Sequence, residues 1–232
     1  MDESRTVDAP VVPGGPGVAV FDLDGTITRR DTFLPFLLGH LQRTPARWPA
    51  VPRLVGAAAL FSTGRIDNNL LKAAFLRALL AGAAADDLRP WAAAFLDALI
   101  ETGLRREALP ALAAHRAAGW TLLLATASPD LYVMPLAARL GFDAVVCTRL
   151  AQDHAGRFTG GMAGGNCYGA EKAARVAAWR RATPVRGPLW VYTDHHADLP
   201  LLDMADRRIG VSPSRRLRQA AAGHGISLVA WS

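Results

Sequence analysis

Cysteine is almost missing from this chain. Cys147 and Cys167 are the only two among 232 residues. That is too few for a disulfide framework, and such usage fits a reducing, cytoplasmic setting. Lysine is nearly as scarce: Lys72 and Lys172 are the only lysines among 26 basic residues, so the formal net charge of +6 rests on arginine. A basic excess can mark nucleic-acid binding, but here neither a basic helix nor an aromatic platform accompanies it, and nucleic acid is excluded as the expected partner. Long apolar runs are missing too. Uncharged stretches such as Thr32–Gln42 and Leu54–Gly64 are eleven residues each, short of the ~20 that a bilayer span needs. The start of the chain lacks the basic-then-apolar order of a signal peptide. It carries Asp2, Glu3 and Asp8, then a Pro/Gly run from Pro10 to Gly17, which reads as a flexible arm over residues 1–17.

Apolar residues make up 51% of the chain, enough to bury a sizeable core. Val18–Phe21 is a short buried-strand pattern, and four more follow at Trp120–Ala125, Ala144–Thr148, Leu189–Thr193 and Arg208–Val211. Helical stretches separate them at Arg105–Ala118, Asp130–Leu140, Ala170–Ala182 and Leu199–Met204. This alternation predicts an α/β fold with a parallel sheet covered on both faces. Leu150–Met162, punctuated by Gly156 and Gly160–Gly161, reads as a hairpin or long loop, and Ile226–Trp231 as a last edge strand. From Asp31 to about Leu104 the alternation stops. That stretch is rich in Ala and Leu and cut by Pro35, Pro45, Pro49, Pro52 and Pro90, the pattern of several helices inserted after the first strand.

Ligands of open α/β sheets collect at the carboxyl ends of the strands. After the first strand stands Asp22-Leu23-Asp24-Gly25-Thr26, after the second Thr126-Ala127-Ser128-Pro129, and after the fourth Asp194-His195-His196-Ala197-Asp198. Helix capping and turn formation account for each aspartate separately, but not for loaded strand ends at one edge. Four converging carboxylates repel one another unless a cation sits among them, and oxygen-only ligands select Mg²⁺. Adjacent His195 and His196 cannot both face one ion from a strand, which argues against zinc. His40, His115, His154 and His224 show no ligand spacing and read as surface residues.

FDLDGT, residues 21–26, resembles the first motif of the haloacid dehalogenase (HAD) superfamily. Thr126, Lys172 at a helix start, and Asp194 with Asp198 follow in the order of that superfamily's other motifs. Within it the chain resembles the phosphoserine-phosphatase-like subfamily. FDLDGTITRRDTFLPFL, GNCYGAEKAARV and YTDHHADLPLL are similar to small bacterial hydrolases of the phosphatidylglycerophosphatase C and CicA type. The resemblance implies a Rossmann-like core over 18–31 and 105–232 with an all-helical cap over 32–104. It implies a Mg²⁺-dependent phosphomonoesterase acting on a small phosphorylated metabolite or phospholipid head group.

In that reading Asp22 is the nucleophile, forming an aspartyl-phosphate, and Asp24 the general acid and base. Thr126 and Lys172 hold the phosphoryl oxygens. Mg²⁺ sits on Asp22, the Asp24 carbonyl and Asp194, with Asp198 orienting the site from behind. Gly25, Thr26, Ala127, Ser128 and Asp31 contact substrate, Asp31 having a helix cap as its other reading. Three features depart from the phosphoserine phosphatases. Thr126 replaces a frequent serine, Ala127-Ser128 replaces Gly-Gly, and His195 stands where a small residue is usual, either crowding the ion or adding a donor. The second weakens free phosphoserine as substrate. A phosphotransferase shares every one of these residues, and a non-catalytic lipid- or anion-binding protein on the same scaffold is the reading from another class. Between Thr32 and Ile66 stand Arg43, Arg47, Arg53, Arg65 and Trp48 and no acidic residue, which suits peripheral contact with an anionic membrane or an ordinary cap surface.

Overall fold

A computed structural model describes Val12 and residues 15–232; most of the arm expected over 1–17 lies outside the described residues. Seven strands form one sheet: β1 Val18–Phe21, β2 Thr121–Pro129, β3 Ala144–Gln152, β4 Phe158–Ala163, β5 Leu189–Thr193, β6 Arg207–Val211 and β7 Ser227–Val229. Their order is β4-β3-β2-β1-β5-β6-β7. All neighbours run parallel except β3 and β4, an antiparallel hairpin. β1 is central, pairing Val18 with Thr121 on one side and Leu189 on the other. Its four residues are wholly buried, as a strand covered on both faces requires.

Successive residues of β1 point to opposite faces, and they divide the core accordingly. Ala19 and Phe21 join one apolar cluster, Val18 and Val20 the other. The Val18 face is covered by α7 Ala170–Ala182, α8 Leu199–Leu202 and α9 Arg215–Ala220. Against the Phe21 face lie α5 Ala108–Ala117 and α6 Asp130–Leu140. The same cluster continues without a break into the residues between β1 and β2.

Ahead of α5 those residues form four α-helices and no strand: α1 Phe33–Arg43, α2 Val51–Ser62, α3 Asn68–Leu80 and α4 Ala85–Ala98, with a 3-10 turn at Pro45–Ala50. Phe36, Leu76, Leu79, Leu88 and Leu96 are buried in the cluster that also holds Tyr132, Leu150 and Phe158. The two ends of the insertion are stitched together where Thr28 bridges Leu104, Arg29 N–H reaches Gly103 O and Arg105 N–H reaches Ile27 O, both at 2.9 Å. On its far side the turn after α3 pairs with β4 through Gly82 N–H to Phe158 O at 2.7 Å and Phe158 N–H to Ala83 O at 2.9 Å. No helix among the described residues is long and apolar enough to cross a membrane.

Two histidines expected at the surface are buried. His115 is wholly enclosed, with Phe21, Trp120, Trp190 and Tyr192 around its ring and Nε2 2.8 Å from the Tyr192 hydroxyl. Burial pushes its pKa down to about 4. His40 is 8% exposed and its pKa is likewise lowered, by burial and then by the Arg47 charge. A lone histidine in an Ala/Leu helix carries no sequence mark of which face it takes. Cys147 and Cys167 are free and buried, and burial raises their thiols to about 12 and about 11, so neither is a reactive thiolate.

Candidate active site

At the end of β1 the backbone stays extended through Asp22, then turns tightly over Leu23–Ile27, with Asp24 and Gly25 both outside helical dihedrals. Gly25 sits inside that turn at φ 79, a conformation that a side chain disfavours. Space requires glycine as well: a Cβ would lie 2.5 Å from Asp194 Cγ and closer still to Oδ2. The loops after β1 and β5 therefore touch through a missing side chain. Arg105 holds the turn from behind, Nε donating to Gly25 O at 2.9 Å and a terminal nitrogen to Trp231 O at 2.6 Å.

Lys172, in the first turn of α7, is 3% exposed. Its Nζ donates to Asp22 Oδ1 at 2.8 Å and to Asp198 Oδ2 at 2.9 Å, and Thr193 Oγ1 donates to the same Asp198 oxygen at 2.7 Å. Burial pulls the ammonium down, but the two carboxylates outweigh it and its pKa stays above the ordinary lysine value. Asp22 is pushed upward by burial against the pull of Lys172, with Asp198, Asp194 and Asp24 adding repulsion. One ammonium does not balance this many carboxylates.

Asp194 makes the deficit concrete. Its Oδ1 is buried without a hydrogen-bond partner, and burial followed by the Asp198 charge raises its pKa to about 6. An orphaned carboxylate oxygen facing other carboxylates is what a hard cation would satisfy. Among the described residues no three His, Cys, Asp or Glu side chains enclose an ion by themselves. The residues that could hold such a cation are Asp22 and Asp194, two carboxylates on the wall of one cavity and an oxygen-only set that suits Mg²⁺.

Asp24 is gripped by three donors. Thr32 N–H and Oγ1 reach its Oδ1 at 2.7 and 2.6 Å, and Ser128 Oγ reaches Oδ2 at 2.7 Å. Tyr132 OH donates to Ser128 Oγ at 2.9 Å. This network joins the insertion, the β1 loop and the end of β2, which runs on through the Thr126–Pro129 segment expected to follow it, and it fixes the direction of the carboxylate.

These groups surround a cavity of about 250 Å³. Asp22, Asp24, Asp31, Ala127, Ser128, Lys172, Asp194, His195 and Asp198 all reach its wall. Gly25, Thr26 and Thr126 do not. Thr126 is wholly buried behind it with Oγ1 accepting Ser128 N–H at 3.0 Å, and Thr26 Oγ1 is buried without a partner. Asp31 caps α1, its Oδ2 accepting Leu34 N–H at 3.0 Å, while also lining the cavity. His195 Nδ1 accepts Ala197 N–H at 3.2 Å, which leaves the ring proton of the neutral side chain on Nε2.

Sequence reasoning missed Lys72. It projects from α3, is 5% exposed, and donates to Ala127 O at 2.6 Å and Asn166 Oδ1 at 3.0 Å. Its Nζ lies 5.0 Å from the centre of the Phe33 ring, and it lines the cavity. Burial lowers its pKa to about 8 against the pull of Asp24 and Asp31. Asn166 in turn accepts from Thr148 Oγ1 and donates to Asn69 Oδ1, both at 3.0 Å, so the insertion and the sheet meet over one polar seam. The signal was present: with arginine used almost everywhere, both lysines of the chain stand at this cavity.

A central β1 ending in paired aspartates, an insertion directly after it and a lysine bridging to the β5 loop define a class of α/β hydrolase. The chain belongs to the haloacid dehalogenase-like hydrolase family, whose model matches residues 19–203. It is 36% identical over 198 residues to the protein CicA of Caulobacter vibrioides, covering 83% of this chain and 85% of that one. A Mycobacterium tuberculosis protein bearing the name "Probable phosphatase" is 28% identical over 234 residues, 96% of this chain and 80% of the other. Among solved structures, a Bordetella pertussis Tohama I protein of unknown function superimposes with a TM-score of 0.81 at 25% identity, covering 93% and 98% of the two chains. A substrate-bound phosphoserine phosphatase shares the fold at a TM-score of 0.63 and 12% identity, covering 88% and 90%.

Proposed function

We propose that the chain is a Mg²⁺-dependent phosphomonoesterase with Asp22 as nucleophile. The observation that carries this reading is the buried Asp22–Lys172–Asp198 ion pair lying beside a carboxylate oxygen of Asp194 that has no partner. Lys172 holds Asp22 Oδ1, leaving Oδ2 to attack phosphorus. The new P–O bond forms on Asp22 as the ester P–O bond breaks, and Asp24, aimed by Thr32 and Ser128, gives a proton to the departing alkoxide. Asp24 then takes a proton from water, which attacks the acyl phosphate and returns Asp22 free. The Lys172 ammonium meets the charge that spreads over the phosphoryl oxygens, and Ala127 and Ser128 line the cavity where the phosphoryl group would sit. Thr126 serves by shaping the loop through Ser128 N–H. Mg²⁺ held by Asp22, Asp194 and the Asp24 carbonyl would supply charge neutralisation for the phosphoryl group.

Lys72 and Asp31 line the outer part of the cavity, and Lys72 suits a second anionic or hydroxyl group on the alcohol side of the ester. The cytoplasmic location expected from cysteine usage belongs to the same reading. Hydrolysis of para-nitrophenyl phosphate with added Mg²⁺ tests it. Asp22→Asn is expected to abolish turnover while the circular dichroism spectrum is kept. Turnover retained by that variant, or undiminished by chelation of Mg²⁺, overturns the assignment.

A further inference from the structure

Of the twelve residues of α2 only Leu54 is buried. At 3.6 residues per turn, Pro52, Gly56, Ala59 and Leu60 point away from Leu54, flanked by Val55 and Arg53, and all six are exposed. A helix that is apolar all round is ordinarily buried; this one faces outward. The exposure continues around it. Trp48 is 58% exposed, Val55 63%, Phe61 42% and Leu70 57%, and eight of the twelve exposed large apolar side chains among the described residues lie between Leu34 and Leu70. Exposed apolar side chains gathered on α2 and the segments next to it mark a candidate interaction surface.

Charge selects the partner. No acidic residue occurs from Thr32 to Ile66, whereas Arg53 and Arg65 are exposed. Arg47 is spent on the end of α3, donating to Ala78 O and Ala81 O. Between α2 and α3 runs a groove of about 490 Å³, walled by Leu54, Leu70, Ala73 and Ala74 and edged by Arg53 and Arg77. A second copy of the chain placed on this face would bring arginines against arginines, and Asp67, the exposed carboxylate just before α3, already accepts Leu70 N–H at 2.8 Å. An anionic lipid surface offers phosphates to the arginines and acyl chains to the groove.

We propose that α2, with Trp48 before it, is a docking surface for an anionic lipid bilayer. The helix lies flat: twelve residues reach about 18 Å at 1.5 Å each, well short of the ~30 Å hydrocarbon core. Val55 and Leu60 enter the boundary between headgroups and acyl chains while Arg53 and Arg65 stay among the phosphates. The turn after α2 leads directly to Asn68 on the wall of the active-site cavity, so docking face and cavity are joined by one turn.

Flotation with vesicles of three parts phosphatidylcholine to one part phosphatidylglycerol tests this, with pure phosphatidylcholine vesicles alongside. The wild-type chain is expected to float with the anionic vesicles only, and less so at high salt. Val55→Asp is expected to weaken that binding about tenfold or more, the worth of one buried apolar side chain, and Arg53→Ala roughly fivefold. Both substitutions are at exposed positions, and unchanged turnover of para-nitrophenyl phosphate serves as the folding control. Because flotation needs no turnover, it reports on docking even if the phosphatase assignment fails. Absent binding, equal binding to both vesicle types, or binding unaffected by Val55→Asp overturns the proposal. So does a concentration-dependent dimer, seen by analytical ultracentrifugation, that Val55→Asp dissolves.

Discussion

Replacing Gly25 by alanine isolates the contact between the β1 and β5 loops. Two costs are legible. Alanine at φ 79 gives up about 1 kcal/mol to the left-handed backbone. Its Cβ would lie 2.5 Å from Asp194 Cγ, so the carboxylate must retreat by about 1 Å to reach ordinary contact, adding about 1–2 kcal/mol of strain. A displacement of that size at a reacting centre costs on the order of 10²-fold in turnover. Urea unfolding of Gly25→Ala is therefore expected to show a loss of about 2–3 kcal/mol, with turnover of para-nitrophenyl phosphate down about a hundredfold and a higher Mg²⁺ requirement. The cycle with Asp194→Ala separates the terms. In that background, with the obstructing carboxylate gone, Gly25→Ala should cost only the backbone term of about 1 kcal/mol. Equal losses in both backgrounds, or a Gly25→Ala enzyme within about twofold of wild type, would refute the reasoning.

Lys172→Met leaves Asp22 and Asp198 buried without their cation, and denaturant titration should register about 3–5 kcal/mol of destabilisation together with loss of turnover. Lys72→Met should raise KM for an anionic substrate more than it lowers kcat. In the wild type, KM should climb as pH passes about 8, where the ammonium loses its proton, and a pH–KM profile of the variant should lack that rise. His115 is held neutral, with a folded pKa of about 4. Between there and the unfolded value near 6.5 the unfolded chain binds the extra proton, so stability is full above pH 6.5. About 3 kcal/mol drains away as pH falls to about 4. His115→Leu should flatten that acid limb in pH-dependent urea titrations, and an unchanged slope would place the titration elsewhere.

Where side chains sit at strand ends, the sequence was informative. Period and turn signals located every parallel strand of the sheet, and the aspartates after β1 and β5 with the end of β2 between them meet at one cavity. What stayed hidden depends on which face of a helix turns inward. Lys72 stands among Ala and Leu in α3, where local pattern cannot tell a snorkelling ammonium from one drawn under a loop by Ala127 O and Asn166. Asn166 lies in irregular chain, and His115 was read as exposed because nothing local marks an aromatic nest assembled from β1, β5 and Trp120 just before β2. Thr32 and Ser128 find Asp24 across 8 and 104 positions of sequence. The short, Arg-rich α9 has too little apolar periodicity to announce a helix.

The central place of β1 also bears on how the molecule comes into being. The strand carrying Asp22 has one neighbour encoded about a hundred positions downstream and the other farther still. Until β5 arrives, the acidic edge lacks Asp194 and Asp198 and the mutual repulsion they bring. That cost is met only once β5 has been made, when those carboxylates and Lys172 come together with Asp22.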